Sequence, residues 1–153
     1  NSNSFFLETK GWKGIAIDPI KHFAQSWQKT RDTPLINGAV SDIIGEEDFI
    51  EILPKIGWEH ALSGFKRYVR KEDLNIYQYK EYKVPVKPLS EYLDPTVNIE
   101  LMLIDVEGAE MQVLKGIDFS VFSPRYLLVE NDSIFGGCNL IRKYLVTKGY
   151  ECC

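Results

Sequence analysis

Four short apolar runs along the chain each end in an acid: GIAID at 14–18, NGAVSD at 37–42, LMLID at 101–105 and YLLVE at 126–130. Each reads as a strand buried on both faces. Helical spacing follows at least three of them. After Asp18-Pro19 it predicts a helix over 19–29, with Asp18 as N-cap, Pro19 in the first turn, and Phe23 and Trp27 one turn apart. After Asp105 a turn through Val106, Glu107 and Gly108 leads into Ala109, Met111, Val113 and Leu114, with Gly116 as the stop. Beyond Glu130, Gly136 and Gly137 precede a helix over 139–148, closed by Gly149. At the N-terminus a helical stretch over 1–9, capped by Ser2 or Ser4, ends at Gly11, and Pro34 leads into a strand over 35–40. Alternating strands and helices predict an α/β fold with a mostly parallel sheet, helices on both faces and right-handed crossovers. Asp18, Asp42, Asp105 and Glu130 then line the carboxyl edge, where such sheets bind ligands.

Between these units the pattern changes. DFIEIL at 48–53 alternates as an antiparallel strand does, and YKVPVKPL at 82–89 alternates with prolines that suit an edge strand. Ser90 is placed to cap a short helix through Leu93. The stretch from about 57 to 83 reads as an irregular insert in a single domain spanning 1–153. In it Lys66, Arg67, Arg70, Lys71, Lys80 and Lys83 interleave with Phe65, Tyr68, Tyr77, Tyr79 and Tyr82. Aromatic and basic side chains together suit stacking on sugars or bases. Glu72, Asp73 and Glu81 offset the charge, so a solvated hairpin or a lid over an acceptor site is preferred to a nucleic-acid surface.

Composition narrows the class. The 153 residues are 44% hydrophobic with net charge −4, which suits one domain with a sizeable core and no nucleic-acid partner. The three cysteines, Cys138, Cys152 and Cys153, are odd in number and form no CxxC, which argues against a disulfide framework or zinc site and for a reducing, cytoplasmic setting. No apolar run reaches membrane-spanning length and no signal peptide is visible, so no membrane partner is expected.

A single acid after a strand commonly just opposes the dipole of the next helix, worth about 0.3–1 kcal/mol. Four in register point to a functional rim. Such a rim repels a bare pyrophosphate, and no GxGxxG or GxxxxGK[ST] loop is present to cradle one. A hydroxyl-rich or cationic ligand suits it better. Asp18 is placed to bind a ribose diol, and S-adenosylmethionine combines a ribose with a positive sulfonium. Asp105, Glu107, Glu130 and Asp132 could supply oxygen ligands to a cation, but no histidine–carboxylate spacing supports one, and no metal is expected.

GWKGIAIDP at 11–19, NGAVSD at 37–42, ALSGF at 61–65, VPVKPLSEYL at 84–93, LMLIDVEGAEMQVLKGIDF at 101–119 and YLLVEND at 126–132 occur in this order. On these segments the sequence resembles the FkbM-type S-adenosylmethionine-dependent methyltransferases over nearly its whole length. The resemblance implies a Rossmann-like methyltransferase fold and methyl transfer, typically to oxygen. It implies that Asp18, with Pro19 after it, holds the ribose hydroxyls, that Ala39, Val40 and Ser41 lie beside the adenine, and that Asp105 sits near the methionine moiety and the acceptor. The family's glycine-rich cofactor loop, of the form D-x-G-A, would lie ahead of Asn1. The fold is therefore expected to lack its first strand, between those ending at Asp18 and Asp105, and its last strands after Cys153. These 153 residues alone are expected to bind S-adenosylmethionine weakly or not at all.

The resulting expectation is a methyltransferase acting on a hydroxyl of a sugar or other small molecule, with a small-molecule or glycan acceptor as partner. Asp105 is the first candidate for the base, Glu130 the second and Glu107 the third, Glu107 being equally suited to hold the acceptor's hydroxyls. His60 reads as an exposed loop residue that could serve as a mobile base, and His22 as a surface helix residue. The competing readings are a nicotinamide-dependent Rossmann oxidoreductase and a non-catalytic binding module on the same fold.

Overall fold

A computed structural model describes residues 4–21, 23–130 and 137–152. It shows a mixed α/β fold with three separately hydrogen-bonded sheets. In the first, β1 (Ala16–Asp18) pairs in parallel with β2 (Leu35–Asn37), with α2 (Phe23–Thr30) between them in sequence. In the last, β7 (Leu101–Ile104) pairs in parallel with β8 (Tyr126–Val129), with α4 (Glu110–Lys115) between and α5 (Gly137–Thr147) after. The middle sheet is mixed. Its order is β3 (Ala39–Val40), β6 (Tyr79–Lys87), β4 (Gly45–Ile52) and β5 (Gly64–Phe65). Only β3 and β6 are parallel there. The single mostly parallel sheet expected from the strand–helix alternation is thus replaced, among the described residues, by two parallel pairs and a mixed sheet.

Three local departures have physical causes. The strand expected over 35–40 is two strands that join different sheets, and Gly38 is the switch. A Cβ there would lie 2.6 Å from the Tyr92 hydroxyl, which donates to the Ala39 carbonyl at 3.1 Å. The helix expected from Pro19 begins at Phe23; the Asp18 carboxylate still accepts from the Ile20 N–H at 2.7 Å, but the chain first makes a turn there. The insert expected to be irregular is built: a 3-10 turn (Glu59–Leu62), β5, α3 (Lys71–Ile76) and most of β6. β6, expected at an edge, lies inside the sheet. Its Pro85 is tolerated because β3 pairs only with Val86 and Lys87 and stops short of it.

Among the described residues two apolar cores form. One sets Ile104, Leu127 and Val129 against Val113 and Leu114 of α4 and Ile141 of α5. The other joins Phe49, Phe65, Val84 and Val86 of the mixed sheet to Ile20 and Ala109. Val106 packs against both. Among the described residues no helix is long and apolar enough to cross a membrane.

The first helix, α1 (Phe5–Thr9), has no buried residue. Ser4 precedes it but makes no side-chain cap, accepting instead from Arg31 at 3.0 Å, and Ser2 lies outside the described residues. Glu8 ties α1 down. Its carboxylate accepts from the Arg31 Nε, from the backbone N–H groups of Asp32 (2.5 Å) and Thr33 (3.2 Å), and from the Thr33 hydroxyl (3.1 Å). The Arg31 guanidinium lies over the rings of Trp27 (4.2 Å) and Phe5 (5.3 Å). The Arg31 bond, helped by the backbone donors, holds the Glu8 carboxyl down to about 2 from an ordinary 4.5. The unfolded chain therefore binds this proton more readily than the folded one. The stabilisation from Glu8 is complete above pH 4.5 and is lost as pH falls toward 2. Glu8→Gln is expected to lower the urea midpoint at pH 7 and to flatten its decline between pH 4.5 and 2, read from unfolding curves across that range.

Candidate active site

The parallel pair β7–β8 places two acids side by side. Ile104 is in register with Val129, and the Glu130 N–H donates to the Ile104 carbonyl at 2.8 Å, so Asp105 and Glu130 leave adjacent strands together. Glu107 joins them from the turn that follows. Carboxylate oxygens of Asp105, Glu107 and Glu130 all lie within 4.8 Å of one another, with Asp105 and Glu130 exposed and Glu107 half-buried. An open cleft lined by Leu103, Ile104, Asp105, Leu128, Val129 and Glu130 lies at the same strand ends. Three carboxylates this close repel one another and favour a cation or hydroxyl donors between them. They are also the hard oxygen donors a divalent cation takes. Asp132, the fourth oxygen candidate, lies outside the described residues.

The turn carrying Glu107 is unusual. Glu107 has φ 51° and Gly108 has φ 97°. Glycine adopts the left-handed region without cost, but a side-chain-bearing residue is strained there by roughly 1–2 kcal/mol. Glu110, the first residue of α4, is buried at 5% exposure, and its carboxylate accepts from the N–H groups of Gly108 (3.0 Å) and Val106 (3.4 Å). On the other side lies β5: a Cβ at Gly64 would sit 3.4 Å from the Glu107 Cβ. Glu110 was not singled out by the sequence reading. Its signal is an acid in the first helical turn, three residues past Glu107, able to reach back to the preceding turn's amides.

Asp18 ends β1. Its carbonyl accepts from the Gly38 N–H at 3.2 Å and the Asn37 amide at 3.0 Å, and Pro19 beside it is half-buried. Ile20, two residues on, shares a packed core with Ala109, which follows the Glu107 turn. The mixed sheet lies near both: Gly64 faces Glu107, and the charge of Asp18 acts on Tyr82. On that sheet Tyr82 donates its hydroxyl to the buried carboxylate of Glu51 at 2.8 Å. Burial, the Glu51 bond and the charges of Glu51 and Asp18 all push the Tyr82 hydroxyl up.

Ala39 and Val40 pack into the second and first cores respectively. Ser41 is fully buried; its hydroxyl accepts from the Gln112 amide at 3.3 Å and faces Asp42 at 3.3 Å. Asp42 is exposed beyond it. His60 is half-buried, edge-on to Phe23 with ring centroids 5.1 Å apart, so it sits over the start of α2. His22 lies outside the described residues. Four of the insert's basic residues meet acids: Lys66 pairs with Glu81 and Arg70 with Asp73 inside it, and Arg67 with Glu47 and Lys83 with Asp48 of β4.

Residues 1–152 match the sequence profile of the methyltransferase FkbM domain. The chain belongs to the FkbM methyltransferase family. No curated protein and no solved structure matches it. Membership makes this a methyltransferase, and the acidic mouth of this FkbM domain is its candidate site for methyl transfer.

Proposed function

We propose that the protein transfers a methyl group from S-adenosylmethionine to a hydroxyl oxygen of a sugar or another hydroxylated small molecule. In this reading β1–β2 and β7–β8 are two parts of a Rossmann-like cofactor-binding arrangement. The observation that carries it is the meeting of Asp105, Glu107 and Glu130 at the carboxyl ends of two adjacent parallel strands.

The donor set suits the cofactor. Carboxylates only accept hydrogen bonds when ionised, so they favour ribose and acceptor hydroxyls. Their charge also favours a sulfonium. Bound there, S-adenosylmethionine would supply the methyl group. The protein's own part is positioning and proton removal. Asp18, at the end of β1, would hold the ribose diol, with Ala39 to Ser41 toward the adenine. Asp105, exposed at the mouth, would take the acceptor's proton, and Glu130 lies close enough to share that role. Glu107 would hold a neighbouring hydroxyl of the acceptor. Alignment of reactants contributes about 7–11 kcal/mol in well-oriented systems, and a positioned base about 10²–10⁴ in rate. On cysteine usage the same proposal places the protein in the cytoplasm.

Calorimetric titration of the full-length protein tests the reading. Binding of S-adenosylmethionine in the micromolar range is expected, with none for a nicotinamide dinucleotide. Labelled methyl should then pass from the donor to a member of a panel of glycans and small alcohols. Binding of the dinucleotide instead would replace this reading with the oxidoreductase one.

A further inference from the structure

We propose that Glu110 is a positioning residue, whose buried carboxylate keeps the carboxylate of Glu107 in the acidic mouth by holding the turn on both sides of it. This rests on the reading of that mouth as the seat of a cationic methyl donor.

Glu110 is among the few charged side chains buried in the described fold. A carboxylate taken out of water needs donors to stay ionised. The Glu110 carboxylate accepts from the N–H groups of Val106 and Gly108, the two residues that flank Glu107. A helix cap serves the amides of its own first turn. Glu110 reaches the other way, to amides that precede α4, so the segment it organises is the turn. That turn needs organising, because Glu107 is held at φ 51°, in the region that side-chain-bearing residues avoid. The insert bounds the turn from the opposite side. Gly64 leaves room for the Glu107 Cβ and backbone carbonyl, which would lie 3.4 and 3.5 Å from a Cβ at position 64. Glu107 is thus fixed between a buried carboxylate and a strand of the mixed sheet, and its side chain meets Asp105 and Glu130. Glu110 acts through Glu107 and touches no reacting atom.

The test is discrimination between S-adenosylmethionine and S-adenosylhomocysteine, which differ by the methyl group and the sulfonium charge. Calorimetry on the full-length protein measures both dissociation constants. The wild-type protein is expected to prefer the sulfonium by about fivefold or more, the factor one solvent-screened charge at contact distance supplies. Glu110→Asp keeps the charge but is one methylene too short to reach the Gly108 amide. It should lower the preference to that of Glu107→Gln, and it should lower nothing further in the Glu107→Gln background. Glu110→Gln retains an acceptor oxygen and should restore most of the preference. An equal loss of affinity for both ligands in Glu110→Asp, with the ratio kept, would reduce Glu110 to a structural role and overturn the proposal while leaving the reading of the mouth intact. Wild-type protein with no preference would overturn that reading, and this proposal with it.

Discussion

Gly116→Ala is expected to destabilise the protein by at least about 3 kcal/mol, the upper end for forced overpacking. A Cβ at position 116 would lie 2.1 Å from the carbonyl oxygen of Ser41 and 2.5 Å from its carbonyl carbon. Both are backbone atoms, so no side-chain rotation relieves the clash. The surroundings have little room to move. Ser41 is fully buried, its N–H donates to the Lys87 carbonyl at 2.9 Å, and the Gly116 carbonyl accepts from Leu89 at 3.0 Å. Relief would require α4 to part from the exit of β3, and α4 contributes Val113 and Leu114 to the first core. The thermal midpoint should fall by roughly 6–12 °C for a chain of this size. Gly14→Ala is the control: nothing lies within 4 Å of its Cβ position, and its effect should stay within about 0.5 kcal/mol. Urea unfolding of both variants decides. A Gly116→Ala midpoint equal to that of Gly14→Ala would contradict the close packing of Gly116 on Ser41.

Asp105→Asn should lower turnover by about 10²–10⁴-fold, the usual worth of a positioned general base. Asparagine keeps the shape and one acceptor oxygen, so the fold and most of the ligand contacts survive while the proton acceptor is lost. Affinity for S-adenosylmethionine should change far less than kcat. On the proposed reading Glu130→Gln should have a smaller effect, because Glu130 would serve only as an alternate to Asp105. Labelled methyl transfer by the full-length protein measures both. Unchanged turnover in Asp105→Asn would remove it from the base role and pass that role to Glu130.

The region around Asp105 was readable because its local signals agree. LMLI is a strand by length and hydrophobicity, an acid ends it, and helical spacing resumes at Ala109; the structure puts β7 on those four residues. Gly116 was read as a helix stop, and α4 does end before it. Its backbone is ordinary, with φ −77°, and glycine is required there by the approach of Ser41, 75 positions away in sequence. The split at Gly38 has the same kind of cause, a tyrosine from a distant turn. The insert was unreadable for another reason. Exposed positions of β4 and β6 carry charges of both signs, and Lys83 pairs with Asp48 across the ladder. Locally such a sequence looks like a solvated loop, and only the cross-strand partner shows that it is a sheet. For the site, chain pattern put Asp105 and Glu130 on one sheet edge with Asp18 and Asp42; that β7 and β8 are neighbours comes from the structure. The pattern carried no sign of the left-handed backbone at Glu107 or of the buried Glu110, because both depend on a turn whose shape is set by its neighbours.

Asp18 and the acid trio belong to separate hydrogen-bonded ladders, and Ile20, Val106 and Ala109 beside them share one apolar core. Backbone ladders lock distance and register, whereas apolar contacts fix neither direction nor angle and let surfaces slide. On the proposed reading, the spacing between Asp18 and the trio is set by packing rather than by a shared ladder, so a bulky acceptor could be fitted without breaking a strand.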